Sequence, residues 1–343
     1  MAKSVDEGIL SRAQKHLDNL TKPIHSLGML EEIAAKMAVI TGNVKPALPK
    51  KKRVYVFAGD HGVVAEGVSA YPPEVTTAMV FNFLAGGAAI NVFARHTNTE
   101  VQVVDAGVAH GFEPTEGLTI FKIGRGTKNF ARGPAMTRLE AERSLTYGKS
   151  LGEKAFEEGV DLIIVGDMGI GNTTTATAVA SAFGFDIDKV LDIGTGIDDE
   201  GLKKKREVIL KALALNKPDP NDPVDVLTKV GSYCFGEIAG LILFAGEKGI
   251  PVVLDGFPTT AAALLAWKLD PSITDFLFAG HLSAVRGHQV LLDALKLKPI
   301  LKLQMRLGEG TGGVLATTII EAAIKMACEM ATFEEAGVSR GKE

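Results

Sequence analysis

Cysteine is scarce: Cys234 and Cys328 are the only two among 343 residues, far apart and in apolar surroundings. That excludes a disulfide framework and a cysteine-based metal spacing, and it fits a reducing compartment. Long apolar runs are also missing. Segments such as FGEIAGLILFAGEKG are interrupted by charge, so no stretch is expected to span a membrane. The opening MAKSVDEGILSRAQKHLDNL is mixed in charge and helical in pattern, unlike a signal peptide, and a cytoplasmic protein is expected. Nor is there a basic excess. The formal net charge is −4 and the Lys/Arg runs stop at Lys50–Arg53 and Lys203–Arg206, which argues against nucleic acid as the main partner. No GxSxG elbow, no Gly-Lys-Ser/Thr phosphate loop and no GxGxxG after the first strand is present. His281 and His288 lack a zinc spacing, and His61 beside Asp60 reads as structural.

Glycine, by contrast, is abundant at 38 residues, above the usual roughly 7%. These glycines mark the ends of short β-branched runs. RVYVFAGDHG (53–62), EVQVVDAGVA (100–109) and DLIIVGDMGIGNTTTATAVASAFG (161–184) each read as a strand leading into a turn. VLDIGTGIDDEGLKKKREVILKAL (190–213), IPVVLDGFPTTAAALLAWKL (250–269) and DFLFAGHLSAVRGHQVLLDAL (275–295) repeat the plan. Alternating strands and helices predict an α/β fold, a parallel sheet with helices on both faces. Ligands then lie beyond the carboxyl ends of the strands, where the glycine turns converge. Residues 5–42 read as two helices punctuated by Pro23 and Gly28, and 314–332 as a long apolar helix with Glu321 and Lys325 at i, i+4.

The turns differ in their promise. In GDMGIGNTTTA (166–176) the glycines Gly166, Gly169 and Gly171 permit close backbone approach, and Thr173, Thr174 and Thr175 are expected to cap the helix and offer hydroxyls. A helix N-terminus there attracts phosphate, although a plain capped turn is equally consistent. Lys203, Lys204 and Lys205 read as a solvated face. Asp255, at the end of an apolar strand, is expected to cap the next helix or bind a ligand. RLGEGTGG (306–313) is odd, because Glu309 sits where a phosphate-binding loop would avoid a carboxylate. Together the residues point to group transfer on a phosphorylated metabolite.

FAGDHGVVAEGVSAYPPEVT, NFLAGGAAINVFAR, GDMGIGNTTTATA, GTGIDDEGL, LDGFPTTAAALLA and MRLGEGTGG, in this order over about residues 18–330, resemble the nicotinate-nucleotide:dimethylbenzimidazole phosphoribosyltransferase family. The resemblance implies transfer of phosphoribose from nicotinate mononucleotide to a lower-ligand base of cobalamin, with release of nicotinate and inversion at C1′. It implies a Rossmann-like domain over 46–305, with a small helical domain assembled from 1–45 and 306–343. It further implies a dimer, and no metal or redox cofactor.

Glu309 becomes the expected catalytic base, since the incoming nucleophile must lose a proton while the pyridinium leaving group needs no acid. By the same resemblance Lys205, Asp255 and Ser283 contact the ribose phosphate. Asp167 stands where the family commonly has glutamate and is expected at the ribose. The turn residues Gly169, Gly171, Asn172, Gly194 and Gly196 complete the substrate site. Ala78, Met305 and Leu307 are expected to line the acceptor pocket, Ala78 in place of the family's usual glutamine. Ile24, His25, Met29, Asp192 and Val285 also depart from the family pattern. Loss of polar groups beside the acceptor leaves a phenol or p-cresol as the alternative to a benzimidazole. It also leaves pairing with a paralogue, or a weakly catalytic partner subunit, as the alternative to a homodimer.

Overall fold

The computed structural model describes residues 1–3, 6–194 and 196–339. The chain opens with α1 (Glu7–Asp18) and α2 (Met29–Thr41), then enters β1 (Lys52–Gly59). Two helices, α3 (Glu74–Leu84) and α4 (Ala89–His96), lead to β2 (Thr99–Gly107) and the short β3 (Leu118–Ile120). The long α5 (Arg138–Glu157) precedes β4 (Leu162–Met168), α6 (Asn172–Ala182) and the single turn α7 (Ile187–Val190). Next come α8 (Asp199–Asn216), α9 (Pro223–Val230), α10 (Tyr233–Lys248) and β5 (Val252–Leu254). The final stretch is α11 (Phe257–Leu269), β6 (Leu277–His281), α12 (Gly287–Ala294), β7 (Pro299–Leu301) and α13 (Thr311–Glu329).

Among the described residues the seven strands form one sheet in the order β3-β2-β1-β4-β5-β6-β7, and every pairing in it is parallel. The chain starts at the centre, winds outward to β3, returns to β4 and winds out again to β7. Its direction reverses between β1 and β4, and a crevice opens at such a switch point. Alternate side chains explain why both faces are covered. Val54, Val56, Leu162 and Ile164 enter one buried cluster with residues of α2, α4 and α13. Tyr55, Phe57, Ile163 and Val165 enter the other, with residues of α5, α6, α10 and α11. Strands buried on both sides read as continuous apolar runs, which is the pattern in the sequence.

Two expectations need correcting. Residues 190–193 form no strand; Val190 ends α7, and residues 191–193 have no regular structure. The place beside β4 is taken by β5, and the Asp192 carbonyl and carboxylate are used by Lys205 and by the Arg286 N–H. Glu321 pairs with Lys52 on β1 rather than with Lys325, which pairs with Glu329. The strands β3 and β7 pass unnoticed in the sequence, because three residues are too few for a period to emerge. At the ends of the chain, the His16 imidazole meets the Ala327 carbonyl at 2.6 Å and Leu20 bridges to Thr332, so the first helices lie against the last.

Helices α5 and α10 touch backbone to backbone. A Cβ on Gly148 would stand 1.9 Å from the Glu237 carbonyl oxygen, and one on Gly240 2.1 Å from that of Leu145. Neither neighbour can yield, since both oxygens belong to helix backbone. Gly148→Ala is therefore expected to lower stability by about 1–3 kcal/mol or more through overpacking, read as a shifted denaturation midpoint.

Candidate active site

The turns after β4, β5 and β6 and the segment before α13 enclose a cavity of about 270 Å³. Two helices point their N-termini into it: Asn172 and Thr173 of α6, and Phe257 and Pro258 of α11, line its wall. Neither helix has a side-chain cap. The threonine capping expected for α6 does not occur. Gly171, in the left-handed region at φ 92°, starts the helix before the threonines are reached. Thr173 Oγ1 instead accepts from Lys205 Nζ at 2.9 Å, and Thr175 Oγ1 bonds His61 Nδ1 at 2.8 Å. Uncapped N–H groups and two converging helix dipoles favour an anion.

Lys205 reinforces that field from below. Lys203 and Lys204 are exposed, but Lys205 is 1% exposed and shares the buried face of α8 with Val208, Ile209 and Ala212. The solvated reading is thus overturned for this lysine: spacings of three, four and seven put it on the core side. Its ammonium also donates to the Asp192 carbonyl at 3.0 Å. Burial lowers its pKa to about 8, with Asp192 opposing the shift. Gly194 makes room for this arrangement, since its Cβ would fall 2.5 Å from Thr173 Oγ1 and 3.3 Å from Lys205 Nζ. Gly196 faces open space at φ 96°, and Thr195 between them lies outside the described residues. Arg306, missed in the sequence although it begins RLGEGTGG, lines the cavity and donates to the Gly194 carbonyl at 3.1 Å.

Ser283 also lines the cavity, its N–H donating to His288 Nδ1 at 2.9 Å. His288 Nε2 therefore carries the proton toward Thr260 Oγ1, 2.9 Å away. Burial drops the His288 pKa to about 3 and the His61 pKa to about 4, so both imidazoles are neutral structural groups.

Glu309 sits at φ 67° between Gly308 at 89° and Gly310 at 92°, three consecutive left-handed residues. The turn lies flat on the sheet because β4 and β6 carry glycine beneath it. A Cβ on Gly166 would be 2.3 Å from the Glu309 carbonyl carbon, and one on Gly280 2.6 Å from the Gly313 Cα. Glu309 is 3% exposed; its carboxylate accepts the Ile90 N–H near the start of α4, and Oε2 is buried with no hydrogen-bond partner among the described residues. Burial first, then the charge of Asp255, raise its pKa to about 7 against the Ile90 hydrogen bond.

Asp255 does cap a helix, but not the one that follows it. Its oxygens accept the N–H groups of Gly310 at 3.0 Å, Gly312 at 2.7 Å and Gly313 at 3.3 Å, at the head of α13. His281 Nε2, itself on the cavity wall, stands 3.4 Å from Asp255 Oδ1. Burial pushes the Asp255 pKa up, yet His281 and the Gly310 and Gly312 amides outweigh it and hold the carboxyl below its usual value. Asp167, 4% exposed, accepts from Asn172 Nδ2 at 2.7 Å while Oδ1 has no partner, and burial raises its pKa to about 7. Gly169 brings the turn against β1, its Cβ position being 2.2 Å from the Gly59 carbonyl oxygen. Of the residues expected at the acceptor, Leu307 lines the cavity, whereas Ala78 is exposed on α3 and Met305 accepts the Ala284 N–H through its carbonyl.

A family model described as phosphoribosyltransferase matches residues 2–338. The nicotinate-nucleotide–dimethylbenzimidazole phosphoribosyltransferase of Geobacter sulfurreducens is 56% identical over 338 residues, covering 98% of this chain and 96% of that one. This chain belongs to the nicotinate-nucleotide–dimethylbenzimidazole phosphoribosyltransferase family. The phosphoribosyltransferase of the same name from Thermus thermophilus is 50% identical and is covered in full. A crystal structure of CobT from that organism superposes with a TM-score of 0.94 over 97% of this chain. The parallel sheet and its helices are thus those of a solved phosphoribosyltransferase.

Proposed function

We propose that this phosphoribosyltransferase moves phosphoribose from nicotinate mononucleotide to 5,6-dimethylbenzimidazole, releasing nicotinate. The observation that carries the reading is Glu309: a buried carboxylate with one unpartnered oxygen and a pKa raised to about 7. A base is most useful when its pKa lies near the working pH. The 5′-phosphate is placed between the N-termini of α6 and α11, above Lys205 and beside Arg306 and Ser283. Asp167 and Asn172 then face the ribose. As the C1′–N bond breaks, its electron pair returns to the pyridinium ring, so nicotinate departs without a proton donor. The imine-type nitrogen of the benzimidazole forms the new bond from the opposite face, which inverts C1′, and the proton on its other ring nitrogen passes to Glu309. Met305 and Leu307, with Ala78 on α3, are proposed beside the acceptor. A dimer in the cytoplasm is proposed on the resemblance alone.

The names of relatives at 50–56% identity specify dimethylbenzimidazole, and no observation favours a phenol over it. The test incubates the pure chain with nicotinate mononucleotide and either dimethylbenzimidazole or p-cresol, following nicotinate and the new ribotide by chromatography. Dimethylbenzimidazole-dependent release is expected. No release with dimethylbenzimidazole, or a clear preference for p-cresol, would overturn the assignment.

A further inference from the structure

A second cluster of ligand-type side chains lies far along the chain from the site above, where α1 turns into α2. Asp18 ends α1, His25 stands in the connection and Glu31 lies in the first turn of α2. One donor atom from each falls within 4.8 Å of the other two, and no other three His, Cys, Asp or Glu among the described residues meet that closely. Glu31 is 4% exposed, and its Oε2 is buried with no hydrogen-bond partner among the described residues, 3.9 Å from His25 Nδ1. Its other oxygen is committed: Lys22 Nζ at 2.8 Å and the Leu27 N–H at 3.0 Å both hold Oε1. Such partners orient a carboxylate so that one oxygen is presented as a monodentate ligand. Asp18, half-buried, accepts from Gln14 Nε2 through Oδ1 at 2.8 Å, and among the described residues no bond is made to its second oxygen.

His25 holds φ 59°, a left-handed conformation that a glycine would adopt without strain. Its side chain is 73% exposed, so packing does not enforce that backbone. Strain of this kind persists where something else requires the residue.

We infer that Asp18, His25 and Glu31, none of which lines the cavity above, form a binding site for a divalent transition-metal ion of the Zn²⁺ type. One imidazole and two carboxylate oxygens suit Zn²⁺ or Co²⁺ better than Mg²⁺ or Ca²⁺, which take oxygen alone. Ligand bonds of about 2.0–2.2 Å require the donor atoms to close by roughly an ångström. Rotation of the exposed His25 side chain supplies that movement. Lys22 opposes the ion, but with Asp18 and Glu31 ionised these three residues together still carry a net negative charge. The ion would staple the α1–α2 connection.

The test uses the full chain, stripped by chelator and free of any histidine tag, titrated with Zn²⁺ by calorimetry and with Co²⁺ by visible absorption. One equivalent is expected to bind and to raise the melting temperature. His25→Gly and Asp18→Asn are each expected to weaken binding more than roughly ten-fold. His25→Gly, relieved of its left-handed strain, is also expected to melt no lower than the metal-free parent. Glu31→Gln is avoided because it strips Lys22 of its counter-charge. Absence of binding by the parent, or unchanged affinity in either variant, overturns the assignment.

Discussion

Glu309→Gln is expected to lower kcat by roughly 10²–10⁴-fold while leaving the KM for nicotinate mononucleotide within a few-fold. The amide keeps the shape and the Ile90 contact of the side chain but cannot accept the proton of the nucleophile. The pH dependence gives the assignment a second check. In the parent, kcat/KM is expected to rise through about pH 7 as Glu309 ionises and to fall through about pH 8 as Lys205 loses its proton. Asp167 titrates near the same pH, also about 7, so the rising limb has two candidate owners. Its disappearance in Glu309→Gln and survival in Asp167→Asn assigns it to Glu309; the reverse pattern assigns it to Asp167. Stability moves the other way. An acid whose folded pKa is raised weakens the fold progressively as pH climbs from its unfolded value toward about 7. At pH 8 the glutamine variant is therefore expected to be at least as stable as the parent, a check by thermal denaturation that separates lost turnover from unfolding.

Asp255→Ala is expected to cost about 3–5 kcal/mol of unfolding free energy, measured by denaturant titration near neutral pH. It removes the acceptor for the Gly310, Gly312 and Gly313 amides in a fully buried place and takes the carboxylate away from His281. The pH signature follows from the lowered Asp255 pKa. The stabilisation is present above the ordinary carboxylate value of 3.8 and fades as pH falls through the lower folded value, so the gap between parent and variant narrows in acid. Asp255→Asn is the finer probe. It deletes the charge that helps raise the Glu309 pKa, so the rising limb of the rate profile is expected to move to lower pH. An unmoved limb would mean that the two carboxylates do not communicate.

These effects depend on a turn whose components were legible but whose support was not. Glu309 among glycines is visible in one line of sequence, and left-handed angles at three successive residues are what such glycines allow. Its carboxylate environment comes from elsewhere: Ile90 lies on α4, Asp255 follows β5, and Gly166 clears space from β4. Lys205 is the sharpest case. Composition could not separate it from Lys203 and Lys204, and the α8 face that meets Thr173 decides which lysine is buried. The strand expected at 190–193 failed for a related reason, since a β-branched run becomes a strand only where a neighbour is free to pair with it.

The sequence by itself determined the alternation of strands and helices, the parallel sheet, the glycine turns at strand ends and the family. Those follow from local periodicity, turn chemistry and motifs carried within short windows. Only the tertiary structure decided that Asp255 caps α13, that Lys205 lies beneath the anion site, that Arg306 joins it and that Glu321 turns to Lys52. Each depends on residues 32 to 269 positions apart, and the sheet order determines which of them meet.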